Sequence, residues 1–199
     1  MDVLNPTFLD PLGVGLSLIC TYYSVTANIK TWPIGIAASS VDIILYYQSG
    51  LYADMATSML WIVMFSYGWR YWKVQDDPLD NQTGIQQLSG LQLLMFTSVI
   101  LLIAGLVGLY LAHYTDSVVP YRDSLTAVGS IGAQWLLCRK YIQTWLLWFV
   151  VDAMYVQLYF DKDLLWHSGL LVLYVIMAIA GYLKWSRLAN PRPLVNSTT

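Results

Sequence analysis

The sequence predicts an all-α integral membrane protein, with seven transmembrane helices in a three-one-three parallel repeat. Three observations lead there: a composition too apolar for a water-facing surface, seven apolar runs near membrane-spanning length, and a self-match at one constant offset. Of 199 residues, 57% are hydrophobic, 15% aromatic and only 11% charged, against about a quarter charged in soluble domains. All twelve acids are Asp, against ten Lys plus Arg, for a net charge of -2. Such a chain is not a soluble globular enzyme, a disordered chain or a nucleic-acid binder working through a basic face. Cys20 and Cys138 both fall inside apolar runs, which argues against a secreted disulfide framework.

A bilayer-crossing helix needs about 20 mostly apolar residues. The runs are Leu9–Ala27, Trp32–Ser49, Leu51–Gly68, Leu91–Tyr114, Ser124–Cys138, Thr144–Phe160 and Leu164–Trp185. The second and third are parted only by Ser49 and Gly50, where a break is required. The fifth is short, contains Gly129 and Gly132, and is expected to begin nearer Val118. Met1-Asp2 opens without the basic stretch of a signal peptide. The runs lack period-two alternation, which sets a β-barrel aside.

Seven crossings place Arg122 and Lys162 on the N-terminal side. Lys30, Arg70, Lys73, Arg139, Lys140, Lys184, Arg187 and Arg192 fall on the other. The positive-inside rule then puts the N-terminus outside and the C-terminus in the cytoplasm. The loop Val74–Gly90, with Asp76, Asp77 and Asp80, becomes cytoplasmic. That side also excludes Asn196-Ser197-Thr198 as a glycosylation site.

Sliding the chain by 113 residues pairs Ser17 with Ser130, Thr31-Trp32 with Thr144-Trp145, Leu45-Tyr46 with Leu158-Tyr159, Gly68 with Gly181 and Trp72 with Trp185. Each repeat holds three spans, with Leu91–Tyr114 between them, so equivalent spans run in the same direction. This is a parallel repeat about an axis along the membrane normal, a SWEET-like arrangement, and not what a rhodopsin-like receptor predicts. The expected division is a first three-helix repeat over residues 1–73, a loop and linker helix over 74–123, a second repeat over 124–189 and a tail over 190–199.

Two acids lie deep in spans. Asp152 is about 12 Å along its helix from Thr144, and Asp42 about 15 Å from Trp32. A lipid-facing charge at that depth costs at least about 2.5–3.5 kcal/mol, so both are expected to face the interior. At helical spacing, Trp145, Trp148, Asp152, Tyr155 and Tyr159 form one stripe, and Gly35, Ser39, Asp42 and Tyr46 another. The offset pairs Ser39 with Asp152 and Asp42 with Tyr155, which places the two acids on the same face of equivalent helices, one turn apart.

The expected site is a central cavity where carboxylates and aromatic faces receive a small, flat, polar or cationic molecule through hydrogen bonds and cation–π attraction. The alternative is that the acids only brace neighbouring helices. Gln134 and Trp135, aligned with Thr21 and Tyr22, and Trp61, aligned with Tyr174, are further candidates for its lining. Trp69, Trp72, Trp185 and Tyr182 read as an aromatic belt at the membrane edge. His113 and His167 have no ligand partners at metal spacing. No catalytic grouping, metal site or cofactor is expected.

The run Arg139-Lys140-Tyr141-Ile142-Gln143-Thr144-Trp145-Leu146-Leu147-Trp148, followed by Asp152, resembles the RKxxxNWLLW…N signature of the PnuC family of vitamin transporters. Tyr67-Gly68-Trp69-Arg70-Tyr71-Trp72 resembles that family's ending of the third span. Tyr47-Gln48-Ser49-Gly50-Leu51-Tyr52-Ala53 resembles its turn between spans two and three. The likeness covers Leu9 to Trp185. It implies a bacterial inner-membrane facilitator without ion coupling, whose substrate is trapped by phosphorylation inside the cell. Members carry nicotinamide riboside, thiamine or riboflavin. Nicotinamide riboside carriers have Asn seven residues after the Trp matched by Trp145. Here Asp152 stands there, and with Asp42 it favours the thiamine-transporting PnuT branch, because thiamine is a cation. Nicotinamide riboside and riboflavin remain alternatives, as does a different class, a receptor or structural bundle that binds without transport. The expected partners are the vitamin and membrane lipid, with a homo-oligomer left open and nucleic acid excluded.

Overall fold

The computed structural model describes residues 6–75, 84–160 and 165–189. Seven helices make up nearly all of this: α1 Pro6–Val25, α2 Thr31–Gln48, α3 Tyr52–Gln75, α4 Gly90–Tyr114, α5 Pro120–Cys138, α6 Thr144–Phe160 and α7 Leu165–Ala189. They match the seven apolar runs to within a few residues, save at the C-terminal end of α3. The fifth starts at Pro120, where a proline at the first helical turn loses no hydrogen bond. Asp76, Asp77, Asp80, Lys162, Leu164, Arg192 and Asn196-Ser197-Thr198 lie outside the described residues, as do the side chains of Tyr159 and His167.

The outer surface of the bundle is apolar. Helix α4 alone exposes Leu91, Leu94, Met95, Leu101, Leu102 and Leu106, a face that only lipid or another apolar surface solvates without cost. Stretches of α1, α4 and α7 are long and apolar enough to cross a bilayer on length and composition alone. The protein is an integral membrane protein.

Turn chemistry sets the helix ends. Gly50, at φ 71°, closes α2. The Leu51 N–H donates to the Tyr46 carbonyl at 2.9 Å and the Gly50 N–H to Tyr47 at 3.2 Å, a Schellman closure that reverses the chain into α3. At the far end of the long loop, Ser89 caps α4: its hydroxyl accepts from the Gln92 N–H at 3.4 Å, and the Gln92 side chain accepts from the Ser89 N–H at 2.9 Å.

The connections α1–α2 and α5–α6 are copies of one another at the 113-residue offset. Ala27 at φ 52° and Lys140 at φ 59° are equivalent residues, both left-handed. Asn28 N–H to Tyr23 O and Tyr141 N–H to Leu136 O are equivalent bonds, both at 2.9 Å. The Thr31 hydroxyl donates to the Cys20 carbonyl at 3.0 Å, and the Thr144 hydroxyl to Ala133 at 2.8 Å. The helix pairings repeat as well. Helix α2 packs on α1 and α3, and α6 on α5 and α7; α1 meets α7 as α5 meets α3. Among the described residues, α4 packs on α5 alone.

The densest packing lies at the end of the bundle carrying those two turns. Trp32, Trp72, Trp145 and Trp185 are at most 2% exposed and run in series. Trp32 and Trp72 meet edge-on at 5.1 Å, Trp72 and Trp185 at 6.2 Å, and Trp185 and Trp145 edge-on at 5.6 Å. A Cβ on Gly68 would overlap the Trp32 ring, and one on Gly181 the Trp145 ring, so these glycines are seats for indoles. Trp72 and Trp185 therefore do not belong to an aromatic belt. Their indole N–H groups donate across the bundle to the carbonyls of Cys138 and Ser24, each at 3.1 Å. Depth along a helix suggested the belt, but depth alone does not say which way a side chain points. Cys20 and Cys138 are free and buried.

Candidate functional site

Every helix except α4 contributes to one cavity of about 330 Å³. That volume falls among small-molecule sites, about 300–1,000 Å³. Helix α2 supplies Ser39 and Asp42, and α6 supplies Trp145, Trp148, Asp152 and Tyr155. Trp61 enters from α3 and Gln134 from α5. These eight residues, all candidates from the sequence, meet around one space.

The two acids are held differently. Asp152 is 9% exposed. Asp42 is half-buried and lies against α1 at Gly13, where a Cβ would come within 2.9 Å of its Oδ1. Ser39 and Tyr155, the repeat equivalents of Asp152 and Asp42, line the same space. No Lys or Arg is among the described residues that line it.

Two hydrogen-bond donors complement the acids. Gln134 Nε2 and Trp145 Nε1 are buried and have no hydrogen-bond partner among the described residues. A ligand acceptor reaching either would relieve the desolvation of a buried N–H. Trp145 is fixed from behind by Gly181 and edge-on by Trp185, so its position is set before any ligand arrives. Its repeat equivalent Trp32 packs in the core and does not line the cavity.

Of the paired candidates on α1 and α5, Thr21 joins the lining with Gln134, whereas Tyr22 and Trp135 are 58% and 38% exposed. Adjacent helical residues point about 100° apart, and Trp135 stacks outside the cavity on Phe96 and Tyr141. Sequence reasoning missed Phe65 and Ala178, which carry no polar signal, and Ser17, Cys20 and Ser24, which complete an α1 stripe with Thr21. The stripe was findable, since its spacing of three, four and seven residues marks one helical face. Thr21 donates to the Ser17 carbonyl at 2.9 Å, which leaves its hydroxyl oxygen as an acceptor, whereas the Ser24 hydroxyl is held between the Cys20 carbonyl at 3.1 Å and the Thr31 hydroxyl at 2.6 Å.

A helical membrane bundle around an acid- and aromatic-lined cavity defines a class, membrane proteins that take a small molecule into their interior. The chain belongs to the family described as nicotinamide mononucleotide transporter, whose profile matches residues 7–187. This agrees with the PnuC resemblance. It is 23% identical to the nicotinamide riboside transporter PnuC of Neisseria mucosa, over 94% of this chain and 76% of that one. It is 22% identical to PnuC of Escherichia coli K12, over 94% and 88%. With the riboflavin/roseoflavin transporter RibM of Streptomyces davaonensis it shares 22% identity over 88% and 83%. The fold superposes on the crystal structure of the vitamin B3 transporter PnuC with a TM-score of 0.74, at 22% identity, covering 94% of this chain and 84% of that one.

Proposed function

We propose that this protein carries a B-vitamin or cofactor precursor across the membrane by facilitated diffusion, with thiamine as the favoured substrate. The observation that carries the proposal is the meeting of Asp42 and Asp152 in one cavity with no basic residue among its described lining. Thiamine brings a thiazolium cation for the carboxylates and an aminopyrimidine for the indole faces of Trp145 and Trp148. Nicotinamide riboside is the second reading. It is also a flat cation, and PnuC relatives are named for it. Riboflavin, named for a further relative, is larger and uncharged and fits these acids least well. In this reading the protein is a carrier and not an enzyme, with no ion coupling, and phosphorylation inside the cell retains the substrate.

Asp152, Trp145, Trp148, Asp42, Tyr155, Ser39, Gln134 and Trp61 form the substrate site. The halves, residues 1–73 and 124–189, are parallel repeats in a SWEET-like arrangement joined by residues 74–123. The exchange-symmetric helix pairings and the duplicated turns support this. Charge asymmetry supports an inner-membrane protein with its N-terminus outside and its tail, residues 190–199, inside. Membrane lipid, and further copies of the chain, are its other partners. Calorimetric titration of purified protein with thiamine, nicotinamide riboside and riboflavin tests the assignment. Thiamine is expected to bind tightest, and preferential binding of either other ligand reassigns the substrate.

A further inference from the structure

The two repeats furnish the cavity unequally. At the 113-residue offset, Gly35 of α2 corresponds to Trp148 of α6, and Phe65 of α3 to Ala178 of α7. All four line the cavity. Each half therefore carries one aromatic and one small residue at this level, in opposite order. In the first half the ring comes from the third helix and lies over a glycine: a Cβ on Gly35 would come within 2.5 Å of Phe65 Cε1. Phe65 also meets Trp32 edge-on at 6.2 Å, so backbone on one side and indole on the other confine it. In the second half the ring is Trp148 on the middle helix, and the third-helix position has shrunk to Ala178, 2% exposed. The scaffold repeats, but its aromatic walls do not.

We propose that Gly35 is a positioning residue that seats Phe65, and that the Gly35–Phe65 pair sets the size of ring system the cavity admits. The proposal rests on the carrier reading above. A methyl group at position 35 has no room unless Phe65 turns away from α2, and Trp32 blocks one direction, leaving the cavity as the other. Truncating Phe65 has the reverse effect and opens the wall facing the ligand.

The test is titration of wild type, Gly35→Ala, Phe65→Ala and Gly35→Ala/Phe65→Leu with thiamine, nicotinamide riboside and riboflavin, alongside thermal unfolding of each. Gly35→Ala is expected to weaken the wild-type ligand by about tenfold or more, the effect of about one methylene in a tight pocket. Phe65→Ala is expected to shift the ranking toward riboflavin, the largest of the three, by about tenfold relative to thiamine. The double variant should recover most of what Gly35→Ala loses. A role confined to packing would lower the unfolding temperature and leave the ranking of the three ligands unchanged, and that result overturns the proposal. If Gly35→Ala does not fold, Phe65→Ala alone decides the matter. Wild-type protein that binds none of the three overturns the carrier reading itself, whereas intact wild-type binding with an unmoved ranking overturns only the pair.

Discussion

Asp152 is nearly sealed from solvent, lines a space that also holds Asp42, and has indole and phenol rings for neighbours. Replacing it with Asn keeps the shape and removes the charge. Asp152→Asn is expected to weaken thiamine binding by about 1.5–3 kcal/mol in calorimetry, the range for a hydrogen bond to a charged group. Unchanged affinity would remove Asp152 from the site. Trp145 has two roles at once, because its ring forms part of the cavity wall and of the tryptophan series. Trp145→Ala is therefore expected to cost about 3–5 kcal/mol of stability, as large core truncations do, so a change in affinity is better read from Trp145→Phe. A different residue-scale effect sits at Ala27, left-handed at φ 52°. Ala27→Gly is expected to gain about 1 kcal/mol in thermal unfolding, since glycine carries no Cβ penalty there. The acids and Trp145 were legible because charge at mid-membrane depth must turn inward. Phe65 and Ala178 were not, because an apolar residue in an apolar helix gives no sign of which way it faces.

At the scale of the helices, the most informative contacts are glycine against indole. Gly68 seats Trp32 and Gly181 seats Trp145, and each tryptophan in turn meets Trp72 or Trp185 edge-on. Backbone and a confined ring leave little room for adjustment, so Gly68→Ala and Gly181→Ala are each expected to destabilise by about 1–3 kcal/mol through overpacking. Only Gly181→Ala should also lower ligand affinity, because Trp145 lines the cavity and Trp32 does not. Equal loss of affinity in both variants would contradict the asymmetry. These seats were half legible: the matching of Gly68 with Gly181 and Trp72 with Trp185 showed in the sequence, but the contact between glycine and ring is a matter of helix rotation. The assignment of Trp72 and Trp185 to an aromatic belt failed for the same reason. Another contact had no sequence signature at all. Gln143, at the α5–α6 turn, donates to the Leu88 carbonyl at 3.2 Å and accepts from the Leu88 N–H at 3.1 Å. With the pairing of Gln86 to Lys140 and Ile142, it straps the end of the long loop to the bundle.

Over the whole molecule, the α1–α2 and α5–α6 connections carry matching turns, the six helices other than α4 surround one cavity, and α4 packs against α5. The seven helices were legible from length and apolar composition. The inequality of the two halves emerges only in three dimensions, where Trp145 lines the chamber and its counterpart does not. Binding alone does not separate a carrier from a receptor, because both would hold the ligand. Uptake of labelled thiamine, nicotinamide riboside and riboflavin into liposomes bearing the purified protein, without any imposed ion gradient, makes that separation. Saturable uptake of thiamine that equilibrates across the membrane and falls in Asp152→Asn is the predicted result. Tight binding with no flux of any of the three would contradict it.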